Sequence, residues 1–284
     1  MSCPICDAAS VSPKLTTAGV EILECVRCGV AFWQPAEDFN PRATYDEAYF
    51  ADGEVARGYD DYAQLEASLR QTFARRMRAL PVPTQGMRSL DLGAALGYGV
   101  AEARAAGWQA FGTEVSRDAL RRSAPEVAGR LAAGDAEHLP FCDASFDLIT
   151  LWDVLEHLPD PHASMREVVR LLRPGGSLAL TTGDVGSLVA RLSGPRWHLY
   201  TIPEHLFFYT RESLRLLLER HGLEVEWMRA DGAIYTLGYQ VERLRKTLLG
   251  TTARTGRTWP GASARVPVNL FDIVTVCATR PWVR

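Results

Sequence analysis

The stretch Leu90-Asp-Leu-Gly-Ala-Ala-Leu-Gly-Tyr-Gly99 constrains this chain more than any other. A short run from Met87 to Leu90 reaches an acid at Asp91, glycines follow at 93, 97 and 99, and helical periodicity starts near Val100. That order predicts strand, tight turn, helix. Glycine lacks a Cβ and tolerates positive φ, so backbone in such a turn can lie against a ligand. The helix that follows aims its N-terminal N–H groups at the ligand's polar end.

The next elements say what kind of ligand. A helix from Val100 to Ala106 is stopped by Gly107, and the strand Ala110–Glu114 ends in an acid 23 residues after Asp91. In a Rossmann-like unit an acid at the end of the second strand accepts hydrogen bonds from ribose hydroxyls. Ser116 is a suitable N-cap for the helix after it. Asp135 stands at the end of a third short strand, where a carboxylate can accept from an exocyclic amine. A fourth strand, Leu148–Trp152, leads to Asp153. Asp160-Pro161 opens a helix with Met165, Val168, Val169 and Leu172 as its apolar stripe, and Ser177–Thr182 is a fifth strand. Thr210 caps a helix ended by Gly222. The last two strands are expected at Glu224–Met228 and Asn269–Ala278, with a helix from about Tyr235 to Leu249 and a Thr/Gly/Arg-rich loop, 250–266, between them.

The N-terminus follows a different logic. Cys3-Pro-Ile-Cys6 and Cys25-Val-Arg-Cys28 are two Cys-x-x-Cys knuckles separated by eighteen residues. Each turns two thiolates onto one ion, so the pair completes a closed tetrahedral site: a zinc ribbon over residues 1–33 with Cys3, Cys6, Cys25 and Cys28 as ligands and structural zinc as the metal. So short a segment has too little core to fold without that staple. Residues 34–85 read as a helical connector. It carries Tyr45, Tyr49, Tyr59 and Tyr62, then an amphipathic helix from Tyr62 to Leu80 with Leu65, Leu69, Phe73 and Met77 on one face.

At 284 residues and 23% charged, the chain can bury one α/β core of residues 86–284 beside the ribbon. A net charge of −3 gives no general reason to expect nucleic acid or a membrane surface. Residues 241–284 alone are basic, with eight Lys and Arg against two acids, which reads first as a solvated face. No apolar run approaches a membrane span and MSCPIC has no signal-peptide pattern, so the expectation is a cytoplasmic monomer or homodimer.

Taken together, LDLGAALGYG, FGTEVS, GDAEHLPFCDASFDLI, LWDVLEHLPDP, LLRPGGSLAL and PEHLFFYTRESLRLLLERHGLEV resemble the class I S-adenosylmethionine-dependent methyltransferases, in particular a bacterial group whose first motif reads VGAAxG. The resemblance implies an α/β fold with a Rossmann-like seven-stranded sheet. It implies that Gly93, Ala95 and Gly97 lie against the methionyl part of S-adenosylmethionine, that Glu114 holds the ribose and that Asp135 with Ala136 holds the adenine. Asp91, Val115 and Trp152 complete the implied pocket. Ala95 stands where the motif often has glycine. A dehydrogenase is the competing reading, but G-x-G-x-x-G is absent.

Methyl transfer needs an aligned nucleophile, a base where the nucleophile carries a proton, and exclusion of water. His157, just after the fourth strand, reads equally as a base or as a structural histidine. His205 lies in 184–209, a connection rich in aromatic and ionisable groups and long enough to act as a lid; 231–266 is a second such segment. His198, His138 and His162 read as packing, loop or surface residues, and His221 as a favourable cation at a helix end. No carboxylate–histidine cluster with metal-ligand spacing is visible around Asp153, which disfavours metal-dependent O-methylation. An Asn-Pro-Pro-Tyr loop is also missing, with Trp152-Asp153-Val154 in its place. The expected acceptor is thus a small molecule, a sugar, glycan or secondary metabolite, methylated at oxygen. An RNA methyltransferase guided by the ribbon and a non-catalytic cofactor-binding protein are the alternatives. The first should carry a basic ribbon, yet residues 1–33 hold only Lys14 and Arg27 against Asp7, Glu21 and Glu24.

Overall fold

The computed structural model describes residues 1–36, 39–40, 65–241 and 261–282. The four connector tyrosines and most of the Thr/Gly/Arg-rich loop lie outside them. Two sheets organise the described residues. The larger has seven strands in the order β10-β11-β8-β7-β4-β5-β6. Its members are β4 (Arg88–Leu92), β5 (Gln109–Glu114), β6 (Leu131–Ala133), β7 (Phe146–Trp152), β8 (Leu172–Gly183), β10 (Glu224–Thr236) and β11 (Arg265–Thr279). β6, β5, β4, β7 and β8 run parallel, whereas β11 lies antiparallel to both β8 and β10. Leu148, Ile149 and Leu151 of β7 are wholly buried, as a strand covered on both faces requires. From central β4 the chain winds one way through β5 and β6 and the other way through β7 and β8. The cleft at the carboxyl ends of β4 and β7 is therefore the switch point where open α/β sheets take ligands.

Local chemistry sets the helix starts. α2 (Tyr98–Ala105) begins after Gly97 at φ 85°, and α3 (Arg117–Arg121) after Ser116, whose hydroxyl accepts from the Ala119 N–H. α4 (Pro161–Leu171) has Asp160 as its cap and proline in its first turn. α6 (Arg211–Arg220) opens on a reciprocal Thr210–Ser213 capping box. α1 (Glu66–Met77) lies on the core, where Phe73 approaches Trp152 and the Thr72 hydroxyl accepts from the Ile234 N–H.

One expectation is corrected near the C-terminus. Tyr235 and Thr236, read as the start of a helix, continue β10, and helical backbone begins only at Leu237. The ribbon with β11 bends at a register shift between Asp231 and Ala233. Gly232 is required there, since a Cβ would stand 2.0 Å from the Val268 carbonyl oxygen.

The smaller sheet runs β1 (Val11–Thr17), β2 (Val20–Cys25), β3 (Ala31–Phe32) and β9 (Phe207–Phe208). Its fourth strand comes from the segment that follows β8 and the short helix α5 (Leu188–Ser193). The N-terminal ribbon is thus completed by the core. Ala31 and Phe32 pair with Phe208 and Phe207, the Thr210 hydroxyl donates to the Cys28 carbonyl (2.9 Å), and Trp33 Nε1 donates to the His205 carbonyl (2.8 Å).

Candidate functional site

The glycine turn lies at the carboxyl end of β4. Gly93, Ala95 and Gly97 all adopt the left-handed region, with φ of 68°, 47° and 85°. A Cβ on Gly93 or Gly97 would lie 2.7 Å from Val154 or Val127, and one on Gly99 would lie 2.5 Å from the Asp91 carboxylate. Sterics as well as conformation therefore demand glycine at 93 and 97, and sterics alone at 99. Ala95 meets the same conformational demand with a side chain, at a cost of about 1–2 kcal/mol.

Glu114 closes the other side of the turn. Its Oε2 accepts from the Ala95 N–H and its Oε1 from the Ser116 N–H, both at 2.8 Å. Burial raises its pKa against the pull of these N–H groups. Each carboxylate oxygen keeps a further acceptor position, so the group can still receive two hydroxyls. Asp91 is 6% exposed and accepts a 2.6 Å bond from the Thr150 hydroxyl. Burial, with the Glu114 charge adding to it, pushes Asp91 up to about 7 in spite of that bond.

Asp135 follows β6 and bridges His138, its Oδ1 facing the Glu137 N–H at 3.3 Å; Ala136 beside it is buried. Val115 is 40% exposed just beyond Glu114. Trp152 ends β7, with the Phe73 ring 6.4 Å away and the Arg76 guanidinium 5.3 Å from its own ring centre. Leu92 pairs with Thr113 and Leu151, so Gly93, Glu114 and Trp152 share one edge of the sheet, with Asp135 after the neighbouring strand.

Beside this edge is a charged group that sequence reasoning missed. Arg76, 4% exposed, donates from Nε to Asp231 (2.9 Å) and from Nη1 to Asp153 (3.3 Å), and Arg75 also reaches Asp231 (2.7 Å). Burial raises the Asp231 pKa, but Arg76, the Gly232 N–H and Arg75 together outweigh it and hold the carboxyl below its usual range. Asp153 sits at φ 58°. The signal available in sequence was a pair of arginines on the face of an otherwise amphipathic helix.

His157 and His205 come together, with ring centres 4.6 Å apart and nearly perpendicular. His157 Nδ1 lies 2.9 Å from the Glu204 carbonyl and His205 Nδ1 lies 2.9 Å from the Leu199 carbonyl. A carbonyl only accepts, so each Nδ1 carries the proton. Burial pushes His157 down to about 4 against the opposing pull of the Glu204 carbonyl and Asp153; burial and the neighbouring His157 hold His205 well below the usual imidazole range. Both rings are therefore neutral near pH 7.

Glu156 joins them. It is 4% exposed, and one ligand atom each of Glu156, His157 and His205 lies within 4.8 Å of the others. The expectation that no carboxylate–histidine cluster stands near Asp153 is thereby overturned, because the second histidine arrives from a distant segment. His221 shares a 2.9 Å bond with His162, and burial, then His162 and the neighbouring Arg166 and Arg220, lower its pKa, which weakens the reading of it as a helix-end cation.

In the ribbon, Cys3, Cys6, Cys25 and Cys28 are all buried, with their sulfurs within 4.8 Å of one another. Cys3–Cys28 and Cys6–Cys25 sulfur separations are each 3.6 Å. Four sulfurs around one zinc at about 2.3 Å stand about 3.8 Å apart. The Ile5 N–H turns toward Cys3 Sγ at 3.4 Å. The donor set and its geometry fit the ion.

A family model described as "Methyltransferase domain" matches residues 61–226. A demethylmenaquinone methyltransferase of Roseiflexus castenholzii is 34% identical over 146 residues, covering 49% of this chain and 60% of the relative. Methyltransferase GfsG of Streptomyces halstedii is 45% identical over 67 residues, 24% of each chain. The chain thus spans less than two thirds of either relative. In fold it is similar to the YcgJ protein of Bacillus subtilis, with a TM-score of 0.52 and 15% identity, over 75% of this chain and 99% of that one.

Proposed function

The chain belongs to the methyltransferase-domain family, and from that premise we propose that it transfers a methyl group from S-adenosylmethionine to an oxygen of a small-molecule acceptor, a sugar, glycan or secondary metabolite. The observation that carries the reading is the Gly93–Gly97 turn closed by the buried Glu114 carboxylate at the switch point of the sheet. Glu114 takes the ribose hydroxyls; Asp135 and Ala136 border the adenine, with Val115 at the rim. Gly93, Ala95 and Gly97 present backbone to the methionyl part, near Asp91 and Trp152. When bound, the cofactor supplies an electrophilic sulfonium methyl. What remains for the protein is to orient the acceptor, exclude water and take up a proton. His157 and His205 are neutral, face the end of β7 and are the groups assigned to proton transfer. Trp152, against Phe73 of α1, closes one wall of the site.

Residues 1–33 are assigned as a zinc ribbon, 34–85 as a connector whose described part carries α1, and 86–284 as the catalytic core, with 184–209 and the described part of 231–266 bordering the acceptor. Structural zinc is assigned to the four cysteines. The RNA reading gains no support from the ribbon, where Lys14 pairs with Glu24 and Asp7 pairs with Arg220. Among the described residues no helix is long and apolar enough to cross a membrane.

Calorimetric titration with S-adenosylmethionine tests the pocket. Glu114→Ala removes two ribose hydrogen bonds to a charged acceptor and is expected to weaken binding by about 3 kcal/mol, roughly a hundredfold. Undiminished binding overturns the assignment, and methyl transfer across a panel of hydroxylated acceptors tests the acceptor class.

A further inference from the structure

We propose that Glu156, His157 and His205 form a binding site for one first-row divalent cation, separate from the four-thiolate site of the ribbon. The first support is the donor set. Two imidazoles and one carboxylate make a three-ligand site that leaves coordination positions open, the arrangement zinc, iron(II), manganese(II) and cobalt(II) accept when a further oxygen ligand is to bind. The three ligand atoms lie within 4.8 Å of one another, against about 3–4 Å for groups sharing such an ion, so a rotamer adjustment of under about 1 Å brings them onto it.

The second support is what holds the ligands. Each histidine ring is fixed by a backbone carbonyl at Nδ1, Glu204 for His157 and Leu199 for His205. That selects the tautomer with an Nε2 lone pair, as outer partners of metal-bound imidazoles do. Glu156 receives a hydrogen bond from the Thr182 side chain, while its Oε2 is buried and has no partner among the described residues. The hydroxyl of fully buried Tyr209, close enough to feel the Glu156 charge, is likewise without one. Two orphaned polar atoms beside two oriented imidazoles call for a polar occupant. Charge balance allows a cation, because the Asp153 charge acts on Glu156 and the Arg76 guanidinium, which acts on it in the opposite sense, is already paired with Asp153 and Asp231.

Glu156 and His157 follow the end of β7, so the open positions of a bound ion belong to the acceptor side of the sheet. There it would take an acceptor oxygen as ligand and ease loss of its proton to solvent, with His157 and His205 serving as ligands instead of bases while the ion is bound. This role rests on the methyl transfer proposed above; cation binding itself does not.

The experiment uses the full chain, zinc-filled at the four cysteines and then titrated with cobalt(II), followed by visible absorption and by metal content. One further cobalt per chain is expected, with weak d–d bands and no thiolate charge-transfer band in the near ultraviolet. Glu156→Gln and His205→Gln should each weaken it by about tenfold or more, while His221→Gln, which alters the other histidine pair, should leave it unchanged. No cobalt beyond zinc exchange at the thiolates, or equal binding by the Glu156 and His205 variants, overturns the proposal. Wild-type stoichiometry alone decides the matter if a variant fails to fold. Cobalt bound without any effect on methyl transfer would remove the acceptor role and leave the site standing; methyl transfer absent altogether would count against the function and not against the cation.

Discussion

Asp91 shows how one residue's surroundings set a measurable property. Its carboxyl, held near about 7 by burial, titrates near 3.9 in an unfolded chain. Between those values the folded protein keeps the proton that the unfolded chain has lost. Stability contributed at this position therefore falls as pH rises from about 4 to about 7 and is flat above. Thr150 donates to the group and lowers its pKa, while the Glu114 charge adds to the effect of burial. Glu114 and Glu156, also raised, add slopes of the same sign, so a comparison is needed. Asp91→Asn should flatten the decline in melting temperature from pH 4 to 7 relative to wild type. Parallel curves for the two proteins would show that Asp91 ionises freely in the folded state. The identity of this residue was legible in sequence, since an acid before a glycine turn is a local pattern. Its burial and the Thr150 bond were not, because Thr150 reaches it across a neighbouring strand.

At the scale of elements, α1 is the instructive case. Its apolar face at Phe73 and Met77 was readable from spacing alone, and both residues are buried. Spacing says nothing about Arg76, which is as buried as they are and joins α1 to β7 through Asp153 and to β10 through Asp231. Removing one partner of a buried ionic group leaves the others uncompensated, which costs about 3–5 kcal/mol. Arg75 is 32% exposed, shares Asp231 with Arg76 and donates to the Gly232 carbonyl, so its loss should cost less, about 1 kcal/mol. Urea unfolding should accordingly show a much lower midpoint for Arg76→Met than for Arg75→Met at similar slope. Equal midpoints would mean that α1 is held by its apolar face alone. The same contrast explains the other successes and failures. Caps at Ser116, Asp160 and Thr210 are decided within three residues and were readable. The extension of β10 through Gly232 depends on pairing with Val268 and Pro267 and was not.

The whole molecule is tied together where β9, supplied by the core segment after β8, completes the sheet of the N-terminal ribbon. A ribbon that folds only around its metal would, as a separate module, lose its structure without consequence elsewhere. Here β3 pairs with β9, the Cys28 carbonyl accepts from Thr210 at the start of α6, and Trp33 holds the backbone of His205. The Leu206 N–H in turn donates to the Glu156 carbonyl (2.8 Å). Order at the thiolate site is thereby coupled, through two or three hydrogen bonds, to the position of the candidate catalytic histidines. Neither knuckle spacing nor helical period could reveal this, because the contacts join residues at opposite ends of the chain. Removing zinc with a chelator should thus raise amide hydrogen exchange not only in β1, β2 and β3 but also at Leu206, Phe207 and Phe208. The central strands β4 and β7, buried among their own neighbours, should stay protected. Since His205 would lose its fixed backbone, methyl transfer should fall more than S-adenosylmethionine binding, which depends on the turn after β4 and on Glu114 at the end of β5. Exchange confined to residues 1–33, with unchanged turnover, would make the ribbon an independent appendage. Exchange spreading through β9 would make it part of the wall on which the reacting groups are mounted.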